Sequence, residues 1–142
     1  MASIRERIVR EILARAAAAV TPVAVLRQPT AAIPREACPV LVLTVESDAP
    51  VKIANDRAER ELAVRLTALS RSGADPWDEA DRIVCAAHAA LMAEPTLGGR
   101  ALRIKEMDAD WQAEDADVEA VAIPAAYRIT YRTVASDITQ GG

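Results

Sequence analysis

An α+β fold, a mostly antiparallel sheet of about five strands with two main helices packed on one face, follows from three features of the sequence. Two stretches carry apolar residues at helical spacing behind good N-terminal signals, and several others alternate or run apolar over strand lengths. Aromatic residues are scarce, two Trp and two Tyr with no Phe. Trp111, Tyr127 and Tyr131 all fall in the last third, so that third must pack well.

The first element is a helix. Ser3-Ile4-Arg5-Glu6 spells a capping box. Behind it Ile4, Ile8, Ile12, Ala16 and Val20 recur every four residues, and Val9 and Leu13 widen the stripe. Glu6/Arg10, Arg7/Glu11 and Glu11/Arg15 lie on the opposite face at i,i+4, each pair contributing ~0.2–0.5 kcal/mol. Pro22 closes the helix. Val23 to Gln28 is a short strand candidate. Pro29, Pro34 and Pro39 then exclude a regular element over 29–39 and leave a long loop of the kind that often carries function. Val40 to Glu46 is a near-continuous apolar run, which predicts a central strand buried on both faces. Glu59 to Leu69 has a composition that also suits a helix. Leu62, Val64, Leu66 and Ala68 nevertheless alternate with Ala63, Arg65, Thr67 and Leu69, and this predicts a strand ending at Ser72-Gly73.

The second helix starts with Asp75 at the N-cap, Pro76 at N1 and acids in the first turn. Ala80, Ile83, Val84, Ala87 and Leu91 form its inward stripe, and Pro95 marks its end. Gly98-Gly99 allows the chain to turn toward a strand on which Leu102 and Ile104 share one face. An acidic turn over 106–119 follows. Val118 to Thr133 is the final strand, with Tyr127, Ile129 and Tyr131 on one face and Arg128, Thr130 and Arg132 on the other. Pro124 places a bulge or an edge near its start. No repeat or low-complexity tract interrupts residues 1–142, which read as one domain.

Composition narrows the function. A net charge of −4 and a pI near 5.1 argue against nucleic acid as the main ligand, because phosphate neutralisation needs clustered Lys and Arg. No apolar run reaches the ~18 residues of a membrane span, and no charged-then-apolar signal segment opens the sequence. Cys38 and Cys85 match no metal or redox spacing, which suits a reducing cytoplasm. Much of the 51% hydrophobic share is Ala, so the core should be thin.

Candidate chemistry is sparse. Cys85 and His88 stand three apart on one predicted helix and could form a nucleophilic pair. The competing interpretation is a small core cysteine beside a half-buried histidine. Asp108, Asp110, Gln112 and Glu119 fall on positions 1, 3, 5 and 12 of a calcium loop, but Ala113 occupies the position that needs Gly and Trp111 interrupts the run. A solvated or subunit-facing acidic turn fits the same residues. Gly98-Gly99 lacks the surroundings of a phosphate cradle. Arg128 and Arg132 form either a solvated strand face or one that pairs with acids, in this subunit or a neighbour.

The ordered set Leu97-Gly98-Gly99, then Trp111 with Glu114-Asp115-Ala116-Asp117, then Tyr127-Arg128-Ile129-Thr130-Tyr131-Arg132-Thr133 resembles phage and prophage tail terminator proteins, the group of the lambda-like minor tail protein U. More loosely the resemblance extends to the opening helix, the strand Pro39 to Glu46, the strand Leu62 to Leu69 and the helix start Asp75-Pro76-Trp77-Asp78-Glu79-Ala80-Asp81. It implies a small α+β subunit of a homohexameric ring. That ring caps the tail tube, stops its polymerisation and presents a surface to head-completion or connector proteins. It also implies a place in the virion tail, with assembly in the bacterial host cytoplasm, and no catalytic, cofactor-binding or metal residues. A ring subunit needs two dissimilar, complementary patches. The residues expected at assembly contacts are Pro29, Pro34 and Arg35 of the long loop, Arg57, Arg60 and Arg65 near one strand, Asp110, Glu114, Asp115 and Asp117 of the acidic turn, and Arg128 and Arg132. Other functions compatible with the sequence are a neck or head–tail connector component and a small cytoplasmic α+β enzyme or ligand-binding domain.

Overall fold

Helix α1 (Ile4–Val20) begins where Ser3 accepts a hydrogen bond from the backbone N–H of Glu6 at 3.1 Å. Only that half of the capping box forms. The Glu6 carboxylate is taken by the Arg27 guanidinium in a two-pronged contact of 2.5 and 2.8 Å, a stronger partner than a backbone N–H. Ile8, Val9, Ile12, Ala16 and Val20 are buried, as the four-residue spacing requires. Two of the three expected helix pairs close, Arg10–Glu6 at 3.5 Å and Arg15–Glu11 at 2.8 Å. Arg7 instead donates to the Thr139 carbonyl at 3.2 Å and ties the helix to the chain's end.

The computed structural model describes residues 1–29, 33–71, 75–111 and 121–142. After α1 come strand β1 (Ala24–Arg27), a 3-10 turn (Arg35–Ala37), strands β2 (Val40–Ala54) and β3 (Arg57–Ser70), helix α2 (Pro76–Met92), and strands β4 (Arg103–Met107) and β5 (Val121–Val134). One sheet holds all five strands in the order β1-β2-β3-β5-β4, parallel at β1–β2 and antiparallel elsewhere. This is the α+β architecture the sequence predicts. Asp75 caps α2 by accepting from the Asp78 N–H at 3.1 Å, and Pro76 fills its first turn.

Both helices lie on one face. Leu41 and Leu43, the even residues Leu62 to Ala68 of β3, and the odd residues Val121 to Tyr131 of β5 point into a core shared with α1 and α2. A smaller cluster occupies the other face, where Ile33 and Cys38 cover Val40, Val42 and Leu69. The expectation of burial on both faces therefore holds for Val40–Leu43, and there the long loop supplies the second layer. The 3-10 turn is a short regular element that the proline spacing did not suggest. Burial pushes the Cys38 thiol pKa up.

Two strand expectations are corrected. Strand β2 runs on past Glu46 to Ala54. Register shifts at Glu46 and Val51 absorb the turn-like sequence Ser47-Asp48-Ala49-Pro50. The first shift reverses the parity of the strand, so that Asp48 points to the helix side. Leu102 precedes β4 and is 40% exposed, leaving Ile104 as the buried residue there. Thr130 is buried although Arg128 and Arg132 on its face are not fully so, since Glu61 and Arg103 flank it in register. Pro124 sits beyond the last β4 pair, Met107 with Ala126, and the β3–β5 register is unbroken. Of the two possibilities at Pro124, the edge is therefore the one found.

At the end of α2 the backbone reverses through Leu97, Gly98 and Gly99, all with positive φ (50°, 71° and 83°). The glycines take this at little cost, and full burial of the Leu97 side chain offsets the strain at the one residue with a Cβ. Among the described residues no helix is long and apolar enough to cross a membrane.

Candidate functional site

Among the described residues, polar side chains from several elements meet at the foot of the β2–β3 hairpin and between α2 and the β4–β5 pair. The hairpin turns at Asn55-Asp56, both left-handed (φ 52° and 59°), as a two-residue loop with the right-handed strand twist requires. Asp56 anchors the turn by accepting from the Ser136 N–H at 3.0 Å and from its hydroxyl at 2.7 Å. At the hairpin's foot the Asp48 carboxylate, with its side chain 8% exposed, accepts from the Tyr131 hydroxyl at 2.6 Å and from Arg5 at 2.9 Å. Arg60 lies 3.9 Å from the same oxygen and donates to the Thr133 hydroxyl at 3.2 Å. Burial, and then the neighbouring Asp48, raise the Tyr131 pKa well above the ordinary phenol range. This cluster joins α1, β2, β3 and β5. Its residues satisfy one another, so it acts as a clamp.

The second place is an open groove of about 410 Å³. His88 of α2 shares a 2.8 Å hydrogen bond with the Tyr127 hydroxyl, their rings stack at 5.7 Å, and Glu106 of β4 comes within 4.0 Å of the same imidazole nitrogen. Trp77 and Trp111 stack at 6.4 Å beside it, although 56% and 62% exposed. Cys85 is exposed, which overturns its interpretation as a core cysteine, while His88 is half-buried as expected. The thiol donates to the Asp81 carboxylate at 3.9 Å and not to His88, whose Nδ1 is engaged with the Tyr127 hydroxyl. The Cys85–His88 spacing therefore places both side chains on one groove wall without making a nucleophilic pair. Among the described residues no three His, Cys, Asp or Glu side chains approach closely enough to hold a metal.

Tyr127 is buried, and its pKa is pushed up to about 12, first by burial and then by the Glu106 charge. A phenol pKa raised by folding stabilises the native state below the ordinary value of 10.0, and that contribution fades as pH rises toward 12. In an ultraviolet titration neither tyrosine should ionise at pH 10 while the fold persists. Tyrosinate should appear together with loss of the native circular dichroism. A midpoint near 10 in a protein that is still folded would contradict this burial.

The residues expected at assembly contacts divide. Pro29 and Pro34 are exposed, and Arg35 lies in the 3-10 turn. Arg57, Arg60 and Arg65 all belong to β3. Arg57 is exposed at the hairpin turn, Arg60 serves the clamp, and Arg65 pairs with Glu46 at 2.7 Å and donates to the Asp110 carbonyl at 3.3 Å. Arg128 pairs with Glu61 at 3.4 Å and Arg132 with Glu59 at 3.7 Å, so the acids come from this subunit. Glu114, Asp115 and Asp117 lie outside the described residues, as do the calcium-loop positions Gln112 and Glu119. Sequence reasoning missed Val51, Lys52 and Ile53 of the hairpin, and Asp48 of its clamp. The Asn55-Asp56 pair was the available signal, a turn dipeptide between two β-prone runs. No protein-family model matches the chain, and no curated protein matches it.

Proposed function

We propose that this chain is a structural assembly subunit, a phage tail terminator. Copies form a homohexameric ring that caps the tail tube, stops its polymerisation and offers the surface to which a head-completion or connector protein joins. It works by docking, with no bond-making step, in the virion tail after assembly in the bacterial host cytoplasm. The observation that carries this proposal is the outer limb of β2. Every residue from Ala49 to Ala54 is exposed, the limb is paired on one side only among the described residues, and it presents Val51 and Ile53 at 45% and 66% exposure. An ordered strand with an open edge and exposed apolar side chains is a surface that natural proteins cover or blunt. The family resemblance supplies the ring and the tube.

The test uses purified protein and purified tail tubes. Electron microscopy should find a ring at one end of each tube, and elongation by added tube protein should cease at that end. Tubes that keep growing, with bare ends, would remove the terminator role.

A further inference from the structure

The hairpin limb and the α2–β4–β5 groove are unlike each other and complementary. The limb's tip combines exposed Val51 and Ile53 with the cations Lys52 and Arg57, while Asp56 is engaged with Ser136. The groove is lined by Trp111, which stacks on Trp77 beside it, and by the carboxylates Asp81 and Glu106. Apolar surface with positive charge thus stands opposite apolar surface with negative charge, and indole faces also attract cations. One chain cannot join the two. Pro124, at the groove, pairs with Thr67, whereas the tip starts at Arg57. That separation is roughly ten strand residues, on the order of 30 Å.

Strand-to-strand addition at the β2 edge is the other way for copies to meet. The limb is poorly suited to it. Two register shifts at Glu46 and Val51, together with Pro50 and Lys52, break the regular ladder that a new strand would need. The same features leave the side chains at the tip free to insert.

We infer that the hairpin tip of one copy inserts Val51 and Ile53 into the Trp77/Trp111 groove of the next copy, with Lys52 and Arg57 facing Asp81 and Glu106. This assignment rests on the ring proposed above and identifies its contact. Because the two patches differ, each copy gives a tip and receives one. Such a head-to-tail contact closes into a ring when its rotation permits.

Cys85 lies exposed in the groove and serves as a native reporter. Ile53→Cys is made in a Cys38→Ala background, and the variant is oxidised with copper phenanthroline after assembly on tail tubes. A ladder of disulfide-linked species ending at the closed ring is expected, and Cys85→Ala should abolish it, since a disulfide needs Cα atoms within ~7 Å. Rings visible by microscopy without that ladder, or disulfide-linked dimers that persist in the Cys85→Ala variant, would overturn the contact and leave the terminator proposal standing. Absence of rings from the unmodified protein on tubes would overturn both. A charge exchange gives an independent reading by sedimentation. Lys52→Glu and Asp81→Lys should each weaken association about tenfold at low salt, and the double variant should recover it. Failure of the double variant to recover would count against the pairing.

Discussion

Replacing Asp48 by Ala is expected to lower the free energy of unfolding by about 3 kcal/mol, since removal of one partner leaves the others of a buried ionic cluster uncompensated. The substitution takes from the Tyr131 hydroxyl its acceptor and from Arg5 and Arg60 their shared carboxylate. Tyr131 is 1% exposed, so water does not replace the lost acceptor freely. Arg5 is nearly half exposed and is the partner that loses least. For a domain of this size the loss corresponds to a fall in melting temperature of about 6–12 °C. Thermal and urea unfolding of Asp48→Ala, Asp48→Asn and Tyr131→Phe measure it. Asp48→Asn keeps an acceptor for Tyr131 and should cost less. A shift below about 1 kcal/mol for Asp48→Ala would show that the cluster is not a clamp. A larger local effect is expected in hydrogen exchange. Amides of the outer limb, held among the described residues by β3 alone, should lose protection before those of Val40–Leu43.

Why Asp48 escaped notice in the sequence has a physical answer. Helix faces are read from a period, and α1 and α2 keep theirs from cap to end, so caps and buried stripes alike were legible. The alternation of β3 was legible for the same reason, against a composition that suits helices. Strand β2 breaks its own period twice. A register shift changes which residues face the core without any mark in the sequence, and Ser47-Asp48-Ala49-Pro50 spells a turn to any local rule. The groove was legible only in fragments. Cys85 and His88 could be paired on α2, but Tyr127 and Glu106 reach His88 through strand order, which local spacing does not encode. The pairing of Arg128 with Glu61, and of Arg132 with Glu59, likewise depends on the β3–β5 register.

The second large effect is expected at Ile129. This side chain is fully buried in the middle of β5, and its cross-strand partners are Leu62 on one side and Ile104 on the other. Both partners belong to the same core beneath the helices. Ile129→Ala deletes buried carbon at the point where three strands meet, and β5 and β3 are held straight by an unbroken fourteen-pair register. The walls therefore have little freedom to collapse into the space, which places the cost in the upper part of the range for such truncations, about 4 kcal/mol. Loss of a β-branched residue from a central strand adds to it in the same direction. Leu102→Ala serves as the comparison. Leu102 is 40% exposed and sits just outside β4, so its truncation should change stability by about 0.5 kcal/mol or less. The two variants differ little in volume removed, and only burial and rigidity separate them. Equal shifts of the urea midpoint, at equal slope, would show that the sheet relaxes around the cavity and that this core is softer than its register implies.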